Sequence, residues 1–154
     1  MQTDQIINQQ LNMILANEIV AVSQYTLHAR ILNNWGLSKL HEKVFEQSID
    51  EMNHVITITD RILFLEGTPH FQDMKTLDLG KDIEGIFRND LQLELDAATT
   101  LRSAIEVAED ARDYVSLDLL IDILKCEEKH INWLEAQLSL MDRVGVNHYQ
   151  QSMI

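Results

Sequence analysis

Two sets of residues in this chain repeat one pattern of metal-binding types. Glu18 precedes Glu51 by 33 residues, and His54 follows Glu51 at i+3. Glu94 precedes Glu127 by 33 residues, and His130 follows Glu127 at i+3, so each member of the second set lies 76 residues after its counterpart. A Glu-x-x-His pair puts both side chains on one face of a helix. One Glu from each of two helices, with a Glu-x-x-His from each of two others, is the donor set that holds two adjacent metal ions in a helical bundle. Four carboxylates and two imidazoles therefore predict a dinuclear metal centre, with iron the expected metal. Ligand type alone also suits manganese and zinc.

Apolar residues recur at helical spacing through four segments, and these must position the six. The first is expected from about Asp4 to Asn34, with Ile7, Leu11, Ile14, Leu15, Val22, Tyr25, Ala29 and Leu32 on one face. Gly36 punctuates it, and Ser38 is the expected N-cap of a second helix running to about Leu65. Gly67, Pro69 and Gly80 bracket a stretch of little periodicity. A third helix starts near Asp82, a break falls at 110–113, and a fourth ends at Gly145, with a short terminal helix within 147–154. Glu18 shares a face with Leu11 and Tyr25, Glu94 with Phe87 and Leu101, and Glu127 and His130 with Leu120 and Leu134. A carboxylate on a core stripe is costly unless it is paired or bound to a cation.

Spacing also fixes height. The midpoint of 18 and 51 falls between Asn34 and Trp35, beside Gly36, and that of 94 and 127 in the break at 110–113. Each pair thus sits roughly 25 Å from its hairpin turn at 1.5 Å per residue, so both can meet mid-bundle. Residues 66–81 can span ~50 Å, about the length of such a bundle. A single long crossover of that reach predicts an all-α, ferritin-like four-helix bundle with a short C-terminal fifth helix, one domain over residues 1–154.

Composition agrees. A chain of 154 residues with 5 Gly and 1 Pro is one domain that can be mostly helix. A net charge of −13 argues against nucleic-acid or anionic-membrane partners. One cysteine, Cys126, excludes an internal disulfide framework and fits a reducing compartment. No basic-then-apolar leader or bilayer-length apolar run is visible, so a cytoplasmic location is expected.

Several stretches carry a closer likeness. They include Asn17-Glu18, Gln24-Tyr25, Leu27 through Arg30, Asn34 through Leu37, and Ser48 through Met52 with His54. Arg61 through Gly67, Leu93 through Asp96, Asp113 through Ser116, and Glu127-Glu128 with His130 continue them. With these the chain resembles the bacterioferritin family over essentially its whole length.

Met52 has a physical reading of its own. It lies ~100° from Glu51 around the second helix, beside Phe45, Ile49, Ile56 and Leu63, and so points out of the bundle. A second apolar stripe marks a subunit interface. On physics alone Met52 is interface filler. The resemblance implies instead that Met52 from each of two subunits ligates haem b at a two-fold axis.

The resemblance further implies Glu18, Glu51, His54, Glu94, Glu127 and His130 as ligands of a di-iron centre, with Glu51 and Glu127 bridging. It implies a ferroxidase using O2 or H2O2, storing ferric mineral in a shell of 24 subunits, either uniform or mixed with a paralogous subunit. A small ferredoxin would supply electrons for iron release. Some family members carry His where this chain has Glu46, forming with Asp50 an inner-surface iron site; the change puts that route in doubt. Other functions compatible with the six residues are a different di-iron oxidase or peroxidase, and a haem-carrying structural subunit.

Other residues are given modest roles. Tyr25 is either a redox-active phenol or a hydrogen-bond donor to a ligand, the latter being the expectation. Trp133 is assigned to packing or an interface, Tyr114 to structure, and His28, His41, His70 and His148 to surface or loops. Cys126 is expected to point off the ligand face and carries no assigned chemistry.

Overall fold

The computed structural model describes residues 5–71 and 76–154. Four long helices, α1 (Gln5–Asn34), α2 (Ser38–Phe64), α3 (Ile83–Asp110) and α4 (Tyr114–Val144), are followed by a short α5 (Val146–Gln151). The expected start at Asp4 lies outside the described residues. Ser38 is the first helical residue rather than the cap, since the N-cap is Leu37 and no side chain caps α2. Asp82 and Asp113 do cap α3 and α4, accepting from Gly85 N–H and Ser116 N–H.

Three helix ends share one termination geometry. At α1, Leu37 N–H donates to Leu32 O and Gly36 N–H to Asn33 O, with Gly36 at φ 80°. The ends of α2 and α3 repeat both bonds, but the left-handed residue is Glu66 (φ 62°) and Arg112 (φ 57°). A non-glycine side chain there costs about 1 kcal/mol or more, so tertiary packing imposes these two turns. Gly67 follows the left-handed Glu66 and donates to Ile62 O.

α1 and α2 form one hairpin, α3 and α4 the other. Gln24 and His28 on α1 meet Asp90 on α3, and Tyr25 meets Glu94, so α1 and α3 run antiparallel. The crossover climbs α1 to make this possible. Asn12 holds its start, donating to Thr68 O (3.1 Å) and accepting from His70 N–H (2.8 Å). Gln24 accepts from Asp78 N–H (3.2 Å), and His28 Nε2 accepts from Gly80 N–H (3.1 Å). Gly80 is obligatory because a Cβ there would lie 2.1 Å from Ile86 N.

His28 overturns its surface assignment. It is fully buried, with Nδ1 2.8 Å from Asp90 Oδ1, and it is the upper anchor of the crossover. Burial raises the pKa of Asp90 from its ordinary value, opposed by its bonds to His28 and Gln24. His41 is half-buried, its Nδ1 2.9 Å from Ala29 O, whereas His70 and His148 are exposed as expected. Tyr114, given a structural role from sequence, is 63% exposed.

The apolar core is split in two. One cluster includes Leu32, Leu40, Phe87, Leu134, Met141 and Tyr149, and α5 closes its end. The other includes Leu11, Leu15, Ile58, Ile62, Leu101 and Ile123. The polar layer between them contains all six residues singled out by spacing.

Candidate metal centre

Each long helix contributes to this layer: Glu18 from α1, Glu51 and His54 from α2, Glu94 from α3, Glu127 and His130 from α4. The four carboxylates are at most 1% exposed and His130 is 4% exposed, while His54 keeps 13% of its side chain open. Donor atoms of Glu18, Glu51, His54 and Glu127 all lie within 4.8 Å of one another, and so do those of Glu51, Glu94, Glu127 and His130. The two groups overlap in Glu51 and Glu127. His54 Nδ1 stands 3.3 Å from Glu51 Oε2, 3.3 Å from Glu127 Oε1 and 3.5 Å from Glu18 Oε2. His130 Nδ1 stands 3.0 Å from Glu51 Oε1 and 3.2 Å from Glu94 Oε1.

Such a cluster is electrostatically unsatisfied without cations. Oε1 of Glu18 and Oε2 of Glu94 are buried with no hydrogen-bond donor. Burial, then the charges of Glu51 and Glu94 and a hydrogen bond with Glu94, raises the pKa of Glu127 well above its ordinary value. Glu94 is also raised, chiefly by burial. Burial would raise Glu51 as well, but hydrogen bonds from His130 and His54 prevail and lower it to about 2. Burial opposes the charged form of His54, yet bonds to Cys126, Glu127 and Glu51 push it up to about 12, and His130 is raised in the same way. The imidazoles thus hold protons where cations would sit. Ligation needs neutral imidazole, so anaerobic Fe(II) addition should release protons and bind more tightly as pH rises. A pH-stat or indicator-dye titration checks this; loading without proton release would contradict the donor set.

Tyr25 is fully buried and its hydroxyl donates to Glu94 Oε1, one of the six clustered residues. Burial, then the charge of Glu94, raises its pKa and keeps the phenol protonated. Trp133 packs edge-on to Phe87, 5.3 Å between centroids, in keeping with a packing role. Cys126 corrects the sequence reading. Its Sγ stands 3.7 Å from His130 Nε2, and it forms donor groups with Asp50 and His130 and with His54 and Glu127. Its neighbour position to Glu127 suggested the wrong direction, because the ligand layer is wider than one helix stripe. Asp50 Oδ2 lies 3.0 Å from His130 Nε2, while Glu46 is exposed.

Residues 8–144 match the family model for a ferritin-like domain. The chain is 38% identical over 154 residues to a bacterioferritin of Mycolicibacterium paratuberculosis, covering all of this chain and 97% of that one. It is 39% identical over 143 residues to a bacterioferritin of Brucella melitensis, covering 93% and 89%. The chain belongs to the bacterioferritin family. A bacterial ferritin of Synechocystis is 38% identical over 146 residues, 94% of each chain. No helix among the described residues is long and apolar enough to cross a membrane.

Proposed function

We propose that this bacterioferritin is a cytoplasmic iron-storage ferroxidase. It takes up two Fe(II) per subunit, oxidises them together and passes Fe(III) to a mineral inside a 24-subunit shell. The observation that carries this reading is the pair of four-residue donor groups sharing Glu51 and Glu127. One group would hold one ion through Glu18 and His54, the other a second ion through Glu94 and His130, with the shared carboxylates bridging.

Four carboxylates balance the charge of two Fe(II). Oxidation yields one electron from each ion, and O2 with two protons leaves as H2O2; with H2O2 as oxidant and two protons, two waters form. Either way the buried site then carries two excess positive charges, which favours departure of Fe(III) toward solvent and hydrolysis. Tyr25 steadies Glu94 throughout by its hydrogen bond. An organic-substrate oxidase is less well supported, since the ~520 Å³ cavity bounded by Gln5, Asn8, Asn12, Gly67 and His70 contains none of the six residues. Anaerobic Fe(II) titration followed by air tests the proposal. Binding should saturate near two ions per subunit, and a ferric absorbance rise should follow on a particle of shell size. Saturation near one ion, or no rise, would overturn it.

The outer face of α2 suits a subunit contact and haem. Phe45, Ile49, Met52, Ile56 and Leu63 are all 43–57% exposed on it, forming an apolar stripe with one thioether. Met52 would hold haem b jointly with its copy in a second subunit, and the haem would supply electron transfer for iron release, with a small ferredoxin as donor. Met52→Leu should remove a bis-thioether haem spectrum while Fe(II) oxidation persists, because Glu51 and His54 face inward. Unaltered haem content and spectrum in Met52→Leu would sink the assignment. Ile49→Glu places a charge in the self-complementary contact and should shift particles to smaller species on sedimentation. An intact shell would remove α2 from the interface.

A further inference from the structure

His130 faces two ways. Its Nδ1 points to Glu51 and Glu94 inside the bundle, whereas its Nε2 lies 3.0 Å from Asp50 Oδ2 and 3.7 Å from Cys126 Sγ. Asp50 keeps 40% of its side chain exposed and Cys126 is half-buried, so this outer group is open to solvent while the inner one is closed. Donors around a tetrahedral zinc ion, with bonds of roughly 2.0 Å to N or O and 2.3 Å to S, stand about 3.3–3.6 Å apart. The two edges that meet at His130, 3.0 and 3.7 Å, already lie close to those values, and Asp50 and Cys126 offer donor atoms within 4.8 Å of each other. Their S, N and O types select thiophilic divalent ions, unlike the thiol-free inner set.

We propose that Asp50, Cys126 and Nε2 of His130 form a distinct zinc(II)-type site at the rim of the ferroxidase centre, which competes with iron for His130. On binding, the thiol proton leaves to solvent and sulfur donates as thiolate. A neutral imidazole offers one lone pair, so His130 serves the outer ion or the inner ion, not both. An outer ion therefore weakens the inner position built from Glu94 and His130 while leaving the Glu18 and His54 position intact. Only this competition rests on the ferroxidase reading; the outer site stands on its own geometry.

Co(II), a coloured substitute for zinc, tests it on the metal-free assembled protein. Titration should produce a sulfur-to-cobalt charge-transfer absorption in the near ultraviolet, absent from Cys126→Ser. Asp50→Asn should raise the Co(II) concentration for half-saturation of that absorption at least about tenfold, and His54→Ala should not. No sulfur absorption in the unsubstituted protein overturns the site. So does an absorption lost with His54→Ala but indifferent to Asp50→Asn, which would place the ion on His54, Cys126 and Glu127. In a second measurement, Zn(II) bound at the outer site should cut anaerobic Fe(II) capacity from about two ions per subunit to about one, and Cys126→Ser should need at least about tenfold more Zn(II) for the same loss. Undiminished Fe(II) capacity with the sulfur absorption present would overturn the sharing of His130 and leave the ferroxidase reading untouched.

Discussion

Glu127→Gln should abolish the rapid phase of Fe(II) oxidation and at the same time make the metal-free protein more heat-stable. The two effects have one cause. Glu127 is shared by both donor groups, and burial with the charges of Glu51 and Glu94 already holds its pKa far above that of an unfolded carboxyl. Glutamine keeps the shape, brings no charge and cannot bridge two cations, so the rapid rate should fall about a hundredfold or more. A group whose folded pKa is raised binds more protons folded than unfolded, so it subtracts stability at every pH above its unfolded value. Removing it should raise the melting temperature of the metal-free protein by about 2–4 °C for each kcal/mol relieved.

The sign extends to pH. Glu94 and Glu127 are raised, so the metal-free fold loses stability as pH climbs above their ordinary value of 4.5, and His54, raised from 6.5 to about 12, adds to the loss between those two values. Glu51, lowered to about 2, works in the opposite direction but only as pH falls through the acid range. Calorimetry of metal-free protein across that window, with and without Glu127→Gln, checks both statements. A rapid phase surviving the substitution would exclude Glu127 as a bridge, and a melting temperature that climbs with pH would refute the electrostatic account.

His28→Ala should be the most damaging single change away from the metal centre. It leaves Asp90 fully buried without its imidazole partner and deprives Gly80 N–H of its acceptor. Leaving a buried carboxyl and a backbone N–H without these partners costs about 1–3 kcal/mol each, roughly 10 °C of melting temperature in a domain of this size. The loss should be local in kinetics as well, with amide exchange at Asp78 and Gly80 accelerating before that of α1. Adding Asp90→Asn to His28→Ala should recover part of the stability, because the stranded carboxyl is gone. If His28→Ala melts with the parent protein, the crossover is anchored by Asn12 and Gln24 alone.

Several features were legible in the sequence because they depend on near-neighbour geometry. Helical periodicity placed all four long helices, the third starting near Asp82 and the fourth after the break at 110–113. The 33-residue separations determined which carboxylates share a level, since an antiparallel hairpin pairs residues equidistant from its turn. The outward direction of Met52 followed from its angle to Glu51 and His54 on the same helix.

Tertiary structure decided whatever depends on which helix face meets which. His28 resembled a surface residue because its partner Asp90 lies 62 positions away. Cys126 was read as turned from the ligands, yet the layer spans two imidazoles and admits a thiol one residue from Glu127. Glu66 and Arg112 take left-handed turns that local preference would give to glycine. At Glu66 and Arg112 packing outweighs a local preference worth about 1 kcal/mol, and no reading of one helix at a time contains that packing.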